Sequence, residues 1–137
     1  MVVIALPLAP PAVADDGQMI VTESGKVRCL VSADNVPFGG GPIVVCQPAA
    51  GGPFPQAPWA ASKFDERLNL AVKRGVAGQF NWQKGDIAAS GQEMVLSPGQ
   101  TVNLNGWTVE SEDTRTKFTY DATGKGMYIG IVTLRHF

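Results

Sequence analysis

The sequence predicts an all-β fold, a small antiparallel sandwich or barrel with one disulfide, Cys29–Cys46. Three observations carry this reading. Apolar residues fall in short runs, several alternating with polar residues at the period-two spacing of a half-buried strand. Sixteen glycines and ten prolines in 137 residues punctuate the chain with turns. The Asn105-Gly106 step is a strong hairpin signal, because both residues tolerate a left-handed backbone.

The length suits one domain and one hydrophobic core. Apolar residues make up 45% of the chain and charged residues 17%, with a formal net charge of −1. Such a composition argues for a folded core rather than disorder. The basic residues form no cluster larger than the pair Lys73-Arg74. The electrostatic footprint of a nucleic-acid binder is therefore missing.

At the start, Val2 to Leu8 is an apolar run, followed by Ala12-Val13-Ala14 and then Asp15-Asp16. This reads as residues 1–14 of a secretory signal truncated at its start, with small residues at the cleavage point and a polar mature start. The run is too short to span a bilayer, which takes about 20 apolar residues. Residues 15–137 are then a single β domain, secreted or held in the cell envelope, with no transmembrane segment. In an exported chain the two cysteines favour a disulfide, and only the pairing Cys29–Cys46 is available. Two thiols do not make a zinc site, which takes four ligands.

Met19 to Thr22 and Val27 to Val31 read as a hairpin around Glu23-Ser24-Gly25-Lys26. Residues 32–41, with Pro37 and Gly39-Gly40-Gly41, form an extended loop, and Ile43 to Cys46 is a short apolar strand. A disulfide would tie this strand to its neighbour about 4.8 Å away. Four prolines and two glycines between Gln47 and Pro58 exclude a regular element. Ser62 to Arg67 is read as a helical turn, with Ser62 as N-cap and Asp65 at the third position. Strands are expected at Leu68–Val72, Gln79–Trp82 and Glu93–Leu96. Ser97-Pro98-Gly99-Gln100 is a turn before the strand Thr101–Leu104. Beyond Asn105-Gly106 come strands at Trp107–Ser111, Arg115–Tyr120 and Met127–Val132.

Certain motifs here resemble a family of small secreted actinobacterial proteins, of mycobacterial type. They are Glu23-Ser24-Gly25-Lys26-Val27-Arg28-Cys29, Ile43-Val44-Val45-Cys46, Gly106-Trp107-Thr108-Val109 and Ala122-Thr123-Gly124-Lys125-Gly126-Met127. Trp82 with Gly85-Asp86 fits the same pattern. The resemblance covers both ends of the mature chain and is weak in its middle. It implies export and a β fold, and it carries no activity. Relatives place a further cysteine pair near positions held here by Val109 or Glu110 and by Phe118, and a histidine where this chain has Lys125.

Catalytic signals are sparse. The single histidine, His136, next to Phe137, reads as a solvated tail residue rather than a positioned base. Metal-ligand spacings are missing from the sequence, and no cofactor is implied. Asp15-Asp16 and the Glu110, Glu112, Asp113 group read as solvated surface. Asp86 and Glu93 have no spacing specific to a glycosidase pair. Trp82, Trp107 and Phe118 read as core, whereas Phe54 and Trp59 sit in the Pro/Gly-rich loop 47–61 where no regular element hides them. These two are the candidate ligand-binding residues, with an unidentified protein or an envelope glycan as partner. The expectation is a non-catalytic binding protein, with an envelope hydrolase or an inhibitor pairing through a strand edge as alternatives.

Overall fold

The computed structural model describes residues 17–60, 63–87 and 92–137, of which 59–60 and 63–66 by backbone alone. The leader 1–14 and the Asp15-Asp16 pair lie outside the described residues. The first strands are β1 (Gln18–Thr22), β2 (Val27–Ser32), β3 (Ile43–Pro48), β4 (Trp59–Ala60) and β5 (Lys63–Arg67). Next come β6 (Leu70–Arg74), β7 (Phe80–Gln83), β8 (Met94–Val95) and β9 (Thr101–Leu104). The chain then runs through β10 (Trp107–Ser111), β11 (Thr116–Tyr120), β12 (Gly126–Ile129) and β13 (Leu134–His136).

Two sheets face each other. The first has the order β7-β6-β3-β2-β1-β8, antiparallel except for the β1–β8 pair. The second is the meander β13-β12-β11-β10-β9. The expected turns are present: Glu23 and Ser24 take φ of 53° and 56° between β1 and β2, and Asn105 and Gly106 take 52° and 87° between β9 and β10. Asn105-Gly106 is a two-residue loop, whose left-handed values twist it in the same sense as its strands, whereas the β1–β2 loop has four residues, Glu23 to Lys26.

Between the sheets lie Ile20, Val27, Cys29, Val31, Val44 and Cys46 from the first, against Trp107, Val109, Phe118, Met127 and Ile129 from the second. Phe118 is fully buried where the resemblance placed a cysteine, and such burial contributes roughly 1.5–3 kcal/mol. The first sheet is also covered on its far side, where Met19, Leu30, Ile43, Val45, Leu70 and Val72 pack with Ile87 and Phe38. This explains why Ile43 to Cys46 is apolar without alternation: all of β3 is buried, on both faces. Cys29 and Cys46 are directly opposed in the β2–β3 ladder, with Cα atoms 4.1 Å apart, and form the expected disulfide.

Polar contacts fix the sheets against each other. Buried Thr22 of β1 shares hydrogen bonds with Ser111 at 2.9 Å and Thr116 at 2.7 Å. The Trp107 indole donates to the Ser32 carbonyl, and Asn105 donates to that of Val31. Gly75 lies where a Cβ would meet the Tyr120 ring at 2.6 Å, so only glycine lets the β6–β7 turn close on the second sheet.

Two expectations are corrected. The segment read as a helical turn from Ser62 is strand β5 at Lys63–Arg67, paired with β4; Ser62 itself lies outside the described residues. A single isolated turn has too few internal hydrogen bonds to hold itself, and pairing with β4 supplies partners. The last strand does not run to Val132. It stops at Ile129, Gly130 donates to the Thr133 carbonyl to close a turn, and the chain returns as β13.

The Cys29→Ala/Cys46→Ala double variant is expected to keep this topology, because the β2–β3 ladder remains, and to lose about 3 kcal/mol of stability. Urea denaturation of both proteins checks this.

Candidate functional site

Sheet two presents its far face to solvent, unlike sheet one. Strands β10 and β11 alternate buried and less buried residues accordingly. On the open face, the register aligns Glu110, Lys117, Tyr128 and Arg135 across β10, β11, β12 and β13. Phe137 follows Arg135 on the same face, opposite Gly126. Lys117, Tyr128, Arg135 and Phe137 line an open groove of about 240 Å³.

The groove is built on aromatic floors with cations above them. The Arg115 guanidinium lies 4.1 Å from the Tyr128 ring centroid. The Lys117 ammonium is 5.5 Å from the Tyr128 ring and 5.7 Å from that of Phe137. Rings at these distances hold cations through their quadrupole. Arg115 is also paired with Glu112 at 2.7 Å, and that hydrogen bond raises its pKa above the ordinary arginine value. Lys117 and Arg135 make no ion pair among the described residues, although Glu110 is the cross-strand neighbour of Lys117. Two cations are thus left facing solvent beside two rings, an arrangement suited to an anionic group.

The loop expected to present Phe54 and Trp59 does something else. Phe54 has 0% exposure and packs on Trp82 with ring centroids 5.9 Å apart, so it is not offered to a ligand. The physical reason is the Arg67 side chain, which donates to the carbonyls of Phe54, Pro55 and Ala57 at 2.7–2.9 Å. Gln56 bonds the Gly130 and Thr133 carbonyls as well. The loop is thereby folded down as a cover over one end of the core. The Trp59 backbone pairs in β4, and its side chain lies outside the described residues.

Other sequence candidates are dispersed. His136 is not a free tail: it belongs to β13 and stacks on Phe80, with centroids 5.1 Å apart and planes 10° from parallel. Glu93 is engaged with Arg28 at 2.9 Å, and Asp86 is exposed just after the bend at Gly85. Trp107 and Phe118 are core, as read, and Trp82 packs at its margin. Among the described residues no three His, Cys, Asp or Glu side chains gather as a metal site, and no helix is long and apolar enough to cross a membrane.

Lys73 is the unexpected group. It lies on β6 with 1% exposure, opposite Phe80, and its ammonium donates to the Gly78 carbonyl at 2.6 Å. Burial first, and the positive charge of Lys125 second, push its pKa below the ordinary lysine value.

Comparison of the chain with protein-family models, curated proteins and solved structures finds no match. The groove thus stands on its own geometry. Sequence alternation already directs Lys117 away from Phe118, but its alignment with Tyr128 and Arg135 depends on strand pairings that no local pattern specifies.

Because the folded state binds the Lys73 proton less tightly than the unfolded chain, folding stability rises with pH from the lowered pKa up to the ordinary lysine value. Below that window the penalty is constant. Lys73→Met is expected to be more stable at neutral pH and to show a smaller gain on raising pH, read as the difference between the two proteins in urea melts across the alkaline range.

Proposed function

We propose that this chain is an exported, non-catalytic binding domain, secreted or held in the cell envelope, that captures an anionic group on the open face of its second sheet. The observation carrying this reading is the groove itself: Lys117 and Arg135 unpaired among the described residues, set beside Tyr128 and Phe137. Charges placed this way and left without an anionic partner among the described residues are available to an outside one. The buried Cys29–Cys46 bond supports export, since such bonds persist mainly in oxidising compartments. The sequence pattern of residues 1–14 and the resemblance to small secreted actinobacterial proteins point the same way.

Size narrows the mode of binding. At about 240 Å³ the groove falls below the range of about 300–1,000 Å³ that encloses a whole drug-sized molecule. It suits one acidic unit of a larger partner, with the remainder lying across the sheet.

The test is a titration of the protein with two probes, tetragalacturonate and a glutamate-containing heptapeptide, followed by NMR shifts of Lys117, Tyr128 and Arg135. At least one probe is expected to bind, more weakly as salt rises, and at least tenfold more weakly in the Lys117→Glu/Arg135→Glu variant. Silence from both probes, or unchanged binding by the variant, would falsify the proposal.

A further inference from the structure

The edge beside the groove specifies more than a charge. In an antiparallel ladder, residues alternate between pairs that exchange hydrogen bonds with the neighbouring strand and pairs whose backbone groups point away from it. Gly126 and Phe137 exchange both bonds, at 3.0 and 2.8 Å. Stepping by two along the β12–β13 register makes Tyr128–Arg135 a bonded pair as well, and leaves Met127–His136 and Ile129–Leu134 as the non-bonded ones. The N–H and C=O groups of Leu134 and His136 therefore point out of the sheet, at an edge that pairs with no other strand among the described residues. Two residues' worth of ladder is open there, with Arg135 between them.

From this we infer that β13 accepts an extended acidic segment of a partner protein as a further strand, with the pattern apolar–acidic–apolar. The inference rests on the proposed anion-binding role of the groove and adds the class of partner. A strand added at β13 places one residue directly opposite Arg135, its side chain on the open face. The row Glu110, Lys117, Tyr128, Arg135 then continues into the partner, and a carboxylate at that point faces the arginine across the new pair. The residues on either side of it turn to the inner face, next to Leu134 and to His136 stacked on Phe80. Those neighbours favour apolar side chains.

The same register opposes a second copy of this chain as the occupant. Two β13 strands pairing antiparallel about Arg135 would set the two Arg135 side chains directly opposite each other, and like charges so placed repel. A charged residue on a short edge strand is a common device against self-association. Here it discriminates: it disfavours another β13 and favours an acidic strand.

The experiment uses the whole chain labelled with 15N and the heptapeptide acetyl-Ser-Thr-Val-Glu-Val-Thr-Ser-amide, its Glu→Gln and Glu→Lys counterparts, and tetragalacturonate. The Glu peptide is expected to bind at least tenfold tighter than the Gln peptide and to slow hydrogen exchange of the Leu134 and His136 amides at least tenfold. Arg135→Glu is expected to exchange the preference, binding the Lys peptide over the Glu peptide, and Arg135→Gln to lose the preference with the fold intact. Unchanged exchange at Leu134 and His136 in the peptide complex overturns strand addition. Binding of tetragalacturonate with the peptides silent overturns it too, while leaving the groove as an anion site. A concentration-dependent dimer that protects the same two amides assigns the edge to self-association and equally overturns the inference. Failure of the groove reading itself looks different: neither acidic probe then binds.

Discussion

The pairing of β2 with β3 is the constraint on which the rest of the structure depends. These two strands lie at the centre of the first sheet, carry the opposed cysteines, and are buried on both faces. A strand covered on both sides has no polar face, so every residue from Ile43 to Pro48 is withdrawn from solvent. Its backbone groups must then be met by neighbouring strands, β2 on one side and β6 on the other. In the unfolded chain the disulfide still tethers Cys29 to Cys46, so the residues that pair at the centre of this ladder stay close together.

Covering both faces of one sheet uses up much of the available apolar side-chain surface. The second sheet takes the inner face, and the segments around Phe38 and Ile87 take the outer one. The Pro-rich loop adds Phe54 and Ala57 to the core between the sheets. What would otherwise be free connections are thus recruited as cover, and each is fixed by polar contacts rather than by regular structure. Arg67 gathers the carbonyls of the Pro-rich loop, Arg74 reaches those of Phe38 and Gly40, and the Glu23 carboxylate accepts from the Ile131 amide. Each of these groups serves backbone that has no ladder of its own.

Among the described residues, the outer face of the meander β9 to β13 is left to solvent. Its inner residues are held against a rigid partner, so the outer row keeps its geometry without help from a ligand. A preformed row of side chains loses little freedom on binding, and this favours recognition by charge position and register over recognition by a closing pocket. The chemistry available there is attraction and alignment.

Much of the architecture was legible in the order of residues. Alternation along Trp107–Ser111 and Thr116–Tyr120, glycine at the turns and the cysteine pair sufficed for an all-β chain with one disulfide, because these signals act over a few neighbouring residues. The strand at Lys63–Arg67 is not legible locally, because a short polar segment carries similar preferences for a helical turn and for an edge strand, and pairing with Trp59–Ala60 decides between them. No regular element surrounds Phe54 and Trp59 in the sequence, which suggests exposure, whereas the burial of Phe54 depends on Trp82 of another strand and on the Arg67 side chain that folds the loop down. The groove is the clearest case of what tertiary structure alone decided. Lys117, Tyr128 and Arg135 each sit on an outward position of their own strand, and only the registers of β11, β12 and β13 make them neighbours. Register is set by turns and by the burial of the opposite face, which are properties of the assembled sheet rather than of any single strand.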